Sequence, residues 1–255
     1  VCPRGSFSSF TLSNKLTFVK SLWLSFLIHP FIQKIIWQAS SYLEQQDILK
    51  RFSKAKVEII NDGVDYLSFQ NTVEITREMI LQKFTKRDFS QVSHLFFSMG
   101  RLHKIKGFNV LIDAFALFIQ DNVNAKLLIA GADDGVKDTL LSQIQNLNLL
   151  DSVFLIGSVN FEDKILLLSN CDAFALASEF ESFGIVVAEA LACGTPVVVS
   201  NKTPWKDLEI NNCGILADND KNSFHHSFKK ILEIRFDKAS IKSYVKSNYD
   251  WEVIV

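Results

Sequence analysis

Two glutamates, Glu181 and Glu189, stand eight positions apart in the largely uncharged run ESFGIVVAEALACGTPVVVS. Glu189 is flanked by Ile185, Val186, Val187, Ala188, Ala190 and Leu191, so it has few polar neighbours on its helix. A carboxylate in such a place can accept two hydrogen bonds from a vicinal diol such as a ribose. The competing reading is a carboxylate favoured by the helix dipole close to a helix start. Glu181 comes at the tip of the preceding loop, Ser178-Glu179-Phe180-Glu181-Ser182-Phe183-Gly184, so both carboxylates can face one cleft. A second loop, Gly100-Arg101-Leu102-His103-Lys104-Ile105-Lys106-Gly107, joins an apolar run to a helical pattern. Gly100 permits close backbone approach, and the free amides of a helix start favour anions. Arg101 can fork onto phosphate oxygens, while Lys106 supplies a compact positive charge. A pyrophosphate suits these features; solvated loop charges are the alternative.

These loops need a scaffold, and the pattern after His94 supplies one. Short apolar runs at Leu95–Met99, Lys126–Ala130, Val153–Ile156, Ala173–Ala177, Pro196–Ser200 and Ile215–Ala217 read as strands covered on both faces. Helical patterns alternate with them, near residues 107–120, 136–146, 162–169, 184–192 and 221–234. Alternation of this kind implies a parallel sheet with right-handed crossovers, whose ligands lie outside the carboxyl ends of the strands. Residues 1–69 read differently, as helical pieces followed by a strand at Val57–Ile60 and the turn Asn61-Asp62-Gly63. Residues 70–92 read as a connector, charged and without a strong apolar period, and residues 236–255 as a helical return segment.

Composition excludes several classes. With 27 basic and 28 acidic side chains and a net charge of −1, there is no electrostatic case for a nucleic-acid partner. The four cysteines, Cys2, Cys171, Cys193 and Cys213, show no metal-ligand spacing, and three sit in apolar runs. They read as small buried hydrophobes of a reducing compartment, which points to the cytosol. The uncharged stretch Ser21–Gln33 is shorter than the ~20 residues of a membrane span. It reads as a core helix, with peripheral contact at the inner face of a membrane as the alternative. No G-x-G-x-x-G follows a strand, which disfavours a dinucleotide oxidoreductase.

The run from Glu181 to Ser200 resembles the donor-site E-x7-E signature of the retaining GT-B glycosyltransferases of family 4, the glycosyl transferases group 1. The loop Gly100–Gly107 resembles the diphosphate-binding loop of that family, at a matching distance and in the same order. LLIAG (127–131) and VFLIGSV (153–159) are further similarities. IINDGVD (59–65) is similar to the family's turn before the interdomain connector, with Asn61 in place of the usual proline. YDWEVI (249–254) and CPRGSFSSF (2–10) also resemble family segments, so the likeness spans nearly the whole chain.

The resemblance implies an α/β fold of GT-B type, a Rossmann-like parallel-sheet donor domain at 93–235 and a partial acceptor domain at 1–69. It implies that the chain begins inside the acceptor domain, after roughly 100 residues carried by relatives, and stops where a final helix usually continues. By the same resemblance, Arg101 and Lys106 bind the donor's diphosphate and Glu189 binds the ribose. Glu181 contacts the transferred sugar, with Gly100 and the amides of Phe183 and Gly184 close to the donor. The expected activity is transfer of a hexose from a UDP- or GDP-sugar to a saccharide or lipid-linked acceptor with retention, as in surface-polysaccharide synthesis. No metal and no separate cofactor are expected. A truncated remnant that only binds nucleotide, and an epimerase on the same fold, are the alternatives.

Overall fold

A computed structural model describes residues 1–7, 29–121 and 123–254 of the chain. Two strands, β1 (Ile36–Ala39) and β2 (Lys56–Ile59), pair in parallel around helix α1 (Tyr42–Arg51). Their small core gathers Phe7, Ile32, Trp37, Ala39, Ile48 and Phe52, with Trp37 stacked on Phe52 at 5.5 Å between ring centres. β1 replaces part of the helical reading of residues 1–69. Its residues IWQA form an apolar run too short to show a period. The strand expected at Val57–Ile60 is present one residue earlier. Most of the Ser21–Gln33 stretch lies outside the described residues; from His29 to Lys34 the chain forms a 3-10 helix. Among the described residues, no helix is long and apolar enough to cross a membrane.

The charged connector contains helix α2 (Arg77–Thr85), opened by the Thr76 side chain accepting from the Met79 amide. It buries Ile80 and Leu81 against the larger core, while Met79 stays exposed. The Arg77 guanidinium also makes a two-pronged ion pair with Asp172, through Nε at 3.0 Å and Nη2 at 2.6 Å. Asp172 in turn accepts from the Leu95 amide at 2.7 Å, so the connector is tied to the start of a strand. Because the pair is part-exposed, Arg77→Ala is expected to cost about 1 kcal/mol of stability. A chemical-denaturation midpoint unchanged by that substitution would show that Ile80 and Leu81 alone dock the helix.

The rest is a strictly alternating series: β3 (His94–Met99), α3 (Phe108–Gln120), β4 (Ala125–Ala130), α4 (Lys137–Asn146), β5 (Val153–Gly157), α5 (Phe161–Asn170), β6 (Ala173–Leu176), α6 (Ile185–Ala192), β7 (Val197–Ser200), β8 (Gly214–Ala217) and α7 (Lys221–Glu233). Each expected strand and helix is present, within about two residues of its expected bounds. The six strands form one parallel sheet in the order β5-β4-β3-β6-β7-β8. This is the doubly wound arrangement, in which the winding reverses between the first strand and the fourth, here β3 and β6. Every residue of β4, β6 and β7 is buried, as helices on both faces require. One face is lined by Phe96, Phe115, Phe118 and Phe228, the other by Phe97 and Phe174 among aliphatic side chains.

The return segment forms α8 (Lys238–Asn248), whose Ile241 and Val245 join the core that contains α6, and the short α9 (Trp251–Ile254). There the chain meets the segment that follows β2: Val64 donates to the Tyr249 carbonyl at 2.8 Å, and Trp251 donates to the Val64 carbonyl at 3.2 Å. Cys171, Cys193 and Cys213 are buried and Cys2 is exposed, as their sequence surroundings indicate.

Candidate donor site

Both loops singled out in the sequence leave the sheet at its point of reversal, one after β3 and one after β6, so they flank the same crevice. They are sewn together by backbone, the Glu179 amide donating to the Ile105 carbonyl at 2.8 Å. Gly107 makes this closeness possible. Its φ of +65° is left-handed, and a Cβ there would lie 2.0 Å from the Ala177 carbonyl oxygen. Gly100 has a related role, since a Cβ on it would lie 3.3 Å from Cδ of Lys106, whose stem runs across it.

Lys106 thus reaches across to Glu181, with Nζ 2.6 Å from Oε1, and both side chains are largely buried at 19% and 11% exposure. Ser178 donates its hydroxyl to the same carboxylate oxygen at 2.6 Å. The predicted cation and the predicted loop-tip carboxylate are therefore in contact. Arg101 is turned elsewhere: its guanidinium is 70% exposed and paired with Asp134, in the loop after β4. That loop is held by Leu102, which donates to the Ala132 carbonyl and accepts from the Asp134 amide.

Glu189 lies beyond the first turn of α6, so the helix dipole does not account for it. Its carboxylate meets Nζ of Lys164, in α5, at 2.6 Å. Burial pushes the Glu189 carboxyl above the ordinary carboxylate range, and the Lys164 ammonium pulls it partly back. Phe183 is buried; its carbonyl accepts from Trp205 Nε1 at 2.7 Å, and its ring packs on Trp205 and Tyr249. This fixes the start of α6, where Gly184 takes a left-handed φ of +83° directly before Ile185. Among the described residues, the amides of Phe183 and Gly184 donate to no acceptor.

The turn at residues 3–7 closes over the loop after β6, since a Cβ on Gly5 would strike the Phe180 ring at 2.9 Å. Buried Glu44 anchors that turn, accepting from the Gly5 amide at 2.6 Å and from the Ser40 amide and hydroxyl at 2.8 and 2.7 Å. Between the two parts of the molecule, Ser40, Ser41, Asn61, Phe183, Trp205 and Tyr249 line a cavity of about 360 Å³. A larger groove of about 650 Å³, lined by Arg77, Asp172, Thr195 and Phe236 among others, opens away from the two loops. It carries none of the residues of the paired carboxylates. Among the described residues, no three His, Cys, Asp or Glu side chains gather to hold a metal ion.

Sequence reasoning missed Lys164, Asp134, Trp205 and the role of Ser178. Lys164 left a trace, as the lone cation in FEDKILLLSN, a helix whose other charges are at its start. The partners of Arg101 and the Phe183 carbonyl come from segments with no mark of their own.

A doubly wound, six-stranded parallel sheet joined to a further parallel α/β unit matches the fold of GT-B glycosyltransferases. Solved structures agree: a glycosyltransferase from Rickettsia africae superposes with a TM-score of 0.74 over 92% of this chain and 64% of that one, at 19% identity. Anabaena HepE in complex with UDP gives 0.71 over 86% and 61%, at 22% identity. The family model "Glycosyl transferases group 1" matches residues 81–248, and the chain belongs to that family. Among curated relatives, the Campylobacter jejuni N-acetylgalactosamine-N,N'-diacetylbacillosaminyl-diphospho-undecaprenol 4-alpha-N-acetylgalactosaminyltransferase is 32% identical over 228 residues, 87% of this chain and 57% of the relative. Mannosylfructose-phosphate synthase of Agrobacterium fabrum is 32% identical over 56% of this chain and 32% of its own length. The chain thus spans between about a third and three fifths of these relatives.

Proposed function

We propose that this chain forms the donor-binding part of a retaining, family 4 hexosyltransferase that uses a UDP- or GDP-sugar and a saccharide or lipid-linked acceptor. The observation that supports the reading is the Lys106–Glu181 pair, formed between the two loops that leave the sheet at its reversal, with Glu189 in the helix that follows the second of them read as facing the same crevice. The names of relatives support the substrate class: one acts on a diphospho-undecaprenol-linked sugar, and HepE is solved with UDP.

In this reading the diphosphate draws Lys106 away from Glu181, and Arg101 away from its exposed pair with Asp134. Glu181 is then freed toward the hydroxyls of the sugar. As the anomeric C–O bond breaks, its electron pair stays on the phosphate oxygen, and cations already in place stabilise the growing charge without reorganising. Lys106 and Arg101 do this without a metal. Glu189 accepts from the ribose diol. The setting that suits such a donor and acceptor is the cytoplasmic face of the membrane, in surface-polysaccharide assembly.

Calorimetric titration with UDP, GDP and ADP tests the reading. One nucleotide should bind, and Glu189→Ala should weaken it by about 100-fold, the loss expected for two hydrogen bonds to a charged group. A folded wild-type chain that takes up none of the three overturns the proposal. Retention is checked separately, by the anomeric configuration of the transferred sugar in the product.

A further inference from the structure

Lys164 has no part in the reaction outlined above, yet it is the one hydrogen-bond partner of the Glu189 carboxylate among the described residues. Its position is built rather than incidental. The ammonium lies 5.0 Å from the centre of the Phe161 ring and 5.4 Å from that of Phe69, and these two rings meet edge to face at 5.4 Å. Aromatic faces hold a cation without competing for its hydrogen bonds. Lys164 and Glu189 are only 16% and 13% exposed, so water contributes little to either charge. Three elements therefore converge on the pair: α5, α6 and the 3-10 helix Tyr66–Phe69, which precedes the connector.

We propose that Lys164 is a positioning residue for donor recognition, an ammonium seated between Phe69 and Phe161 that keeps the Glu189 carboxylate ionised and aimed at the ribose diol. This deepens the function proposed above and rests on it. The ammonium occupies Oε1 of Glu189 and leaves the other oxygen, and the remaining lone pair of the first, for the two hydroxyls. Without Lys164, burial favours the protonated carboxyl, which would donate one hydrogen bond where the diol needs an acceptor. The other titratable groups around Glu189 do not replace Lys164. The Cys193 thiol, which caps α6, is pushed by burial up to about 12 and stays neutral, and Lys242 of α8 acts on that thiol rather than on Glu189.

The sign follows directly. Binding needs the ionised carboxylate, so affinity is lost as the pH falls through the carboxyl's titration, and that titration lies higher once the ammonium is gone.

The test compares wild type, Lys164→Met and Lys164→Arg with the nucleotide that the wild type binds best of UDP, GDP and ADP. Lys164→Met should weaken binding by about tenfold or more at about pH 6 and recover most of it by about pH 9, while Lys164→Arg stays within about threefold throughout. A loss of equal size at every pH, or no loss, overturns the proposal. In parallel, the Glu189 carboxyl is titrated by 13C NMR in the nucleotide-free chain. Its midpoint should move upward in Lys164→Met and not in Lys164→Arg; an unmoved midpoint also overturns the proposal. A wild type that binds no nucleotide refutes the donor-site reading, whereas the NMR titration judges the pairing independently.

Discussion

On the function proposed above, Lys106→Met is expected to slow sugar transfer by about 10²–10³-fold, the loss typical when one preorganised charge-stabilising group is removed from a transition state. The substitution keeps the length of the aliphatic stem that crosses Gly100, so the loop has no steric reason to rearrange. It removes the cation that lies 2.6 Å from Glu181. Glu181 then keeps the Ser178 hydroxyl but faces the donor's phosphates as an unneutralised, largely buried negative charge. Rate and ground-state affinity should therefore fall together, with the larger loss in kcat. Initial rates of nucleoside diphosphate release at saturating donor measure this. A loss of less than about threefold would show that Arg101 alone carries the leaving group's charge.

Gly107→Ala should cost about 2–5 kcal/mol of stability and abolish nucleotide binding. Two costs add. A non-glycine residue in the left-handed region costs about 1–2 kcal/mol. The second cost is steric, since the new methyl would sit 2.0 Å from the Ala177 carbonyl oxygen and force the two loops apart, adding about 1–3 kcal/mol. Gly157→Ala is the control, because Gly157 has a φ of +75° with nothing within 4 Å of the methyl group that alanine would add. It should show only the first, backbone cost. Denaturation midpoints of the two variants separate the contributions. Equal midpoints would mean that the approach of Gly107 to Ala177 yields easily and does not brace the site.

The alternating half was readable because its inner strands are buried on both faces and each apolar run ends in a turn signal, as at Gly100 and Gly131. Its loops were readable for a related reason, since a glycine beside cations has few structural explanations. The pairings were not readable. Lys106 and Glu181 are 75 positions apart in the chain, and nothing local tells a lysine which carboxylate it will meet. Helix α2 escaped because its buried surface is two adjacent residues, Ile80 and Leu81, rather than a stripe at helical spacing. Its sign was the cap, Thr76 ahead of Glu78, which in a charged segment passes for ordinary polar sequence. Strand β1 escaped through brevity, and Trp37, its most buried large side chain, fits a core helix equally well.

The meeting of Val64 with Tyr249 and Trp251 has a mechanical consequence. The chain passes from the two-stranded unit to the larger sheet at residues 61–66, and hydrogen bonds lash that passage to residues 249–251 at the end of α8. A rotation of the smaller unit about that braced passage would open the contact between Gly5 and Phe180. Displacement in such a rotation grows with distance from the axle. Asn61 and Tyr249, beside it, would scarcely move, whereas the turn at Gly5, carried on a longer lever arm and resting on Phe180, would swing clear of the loop that bears Glu181.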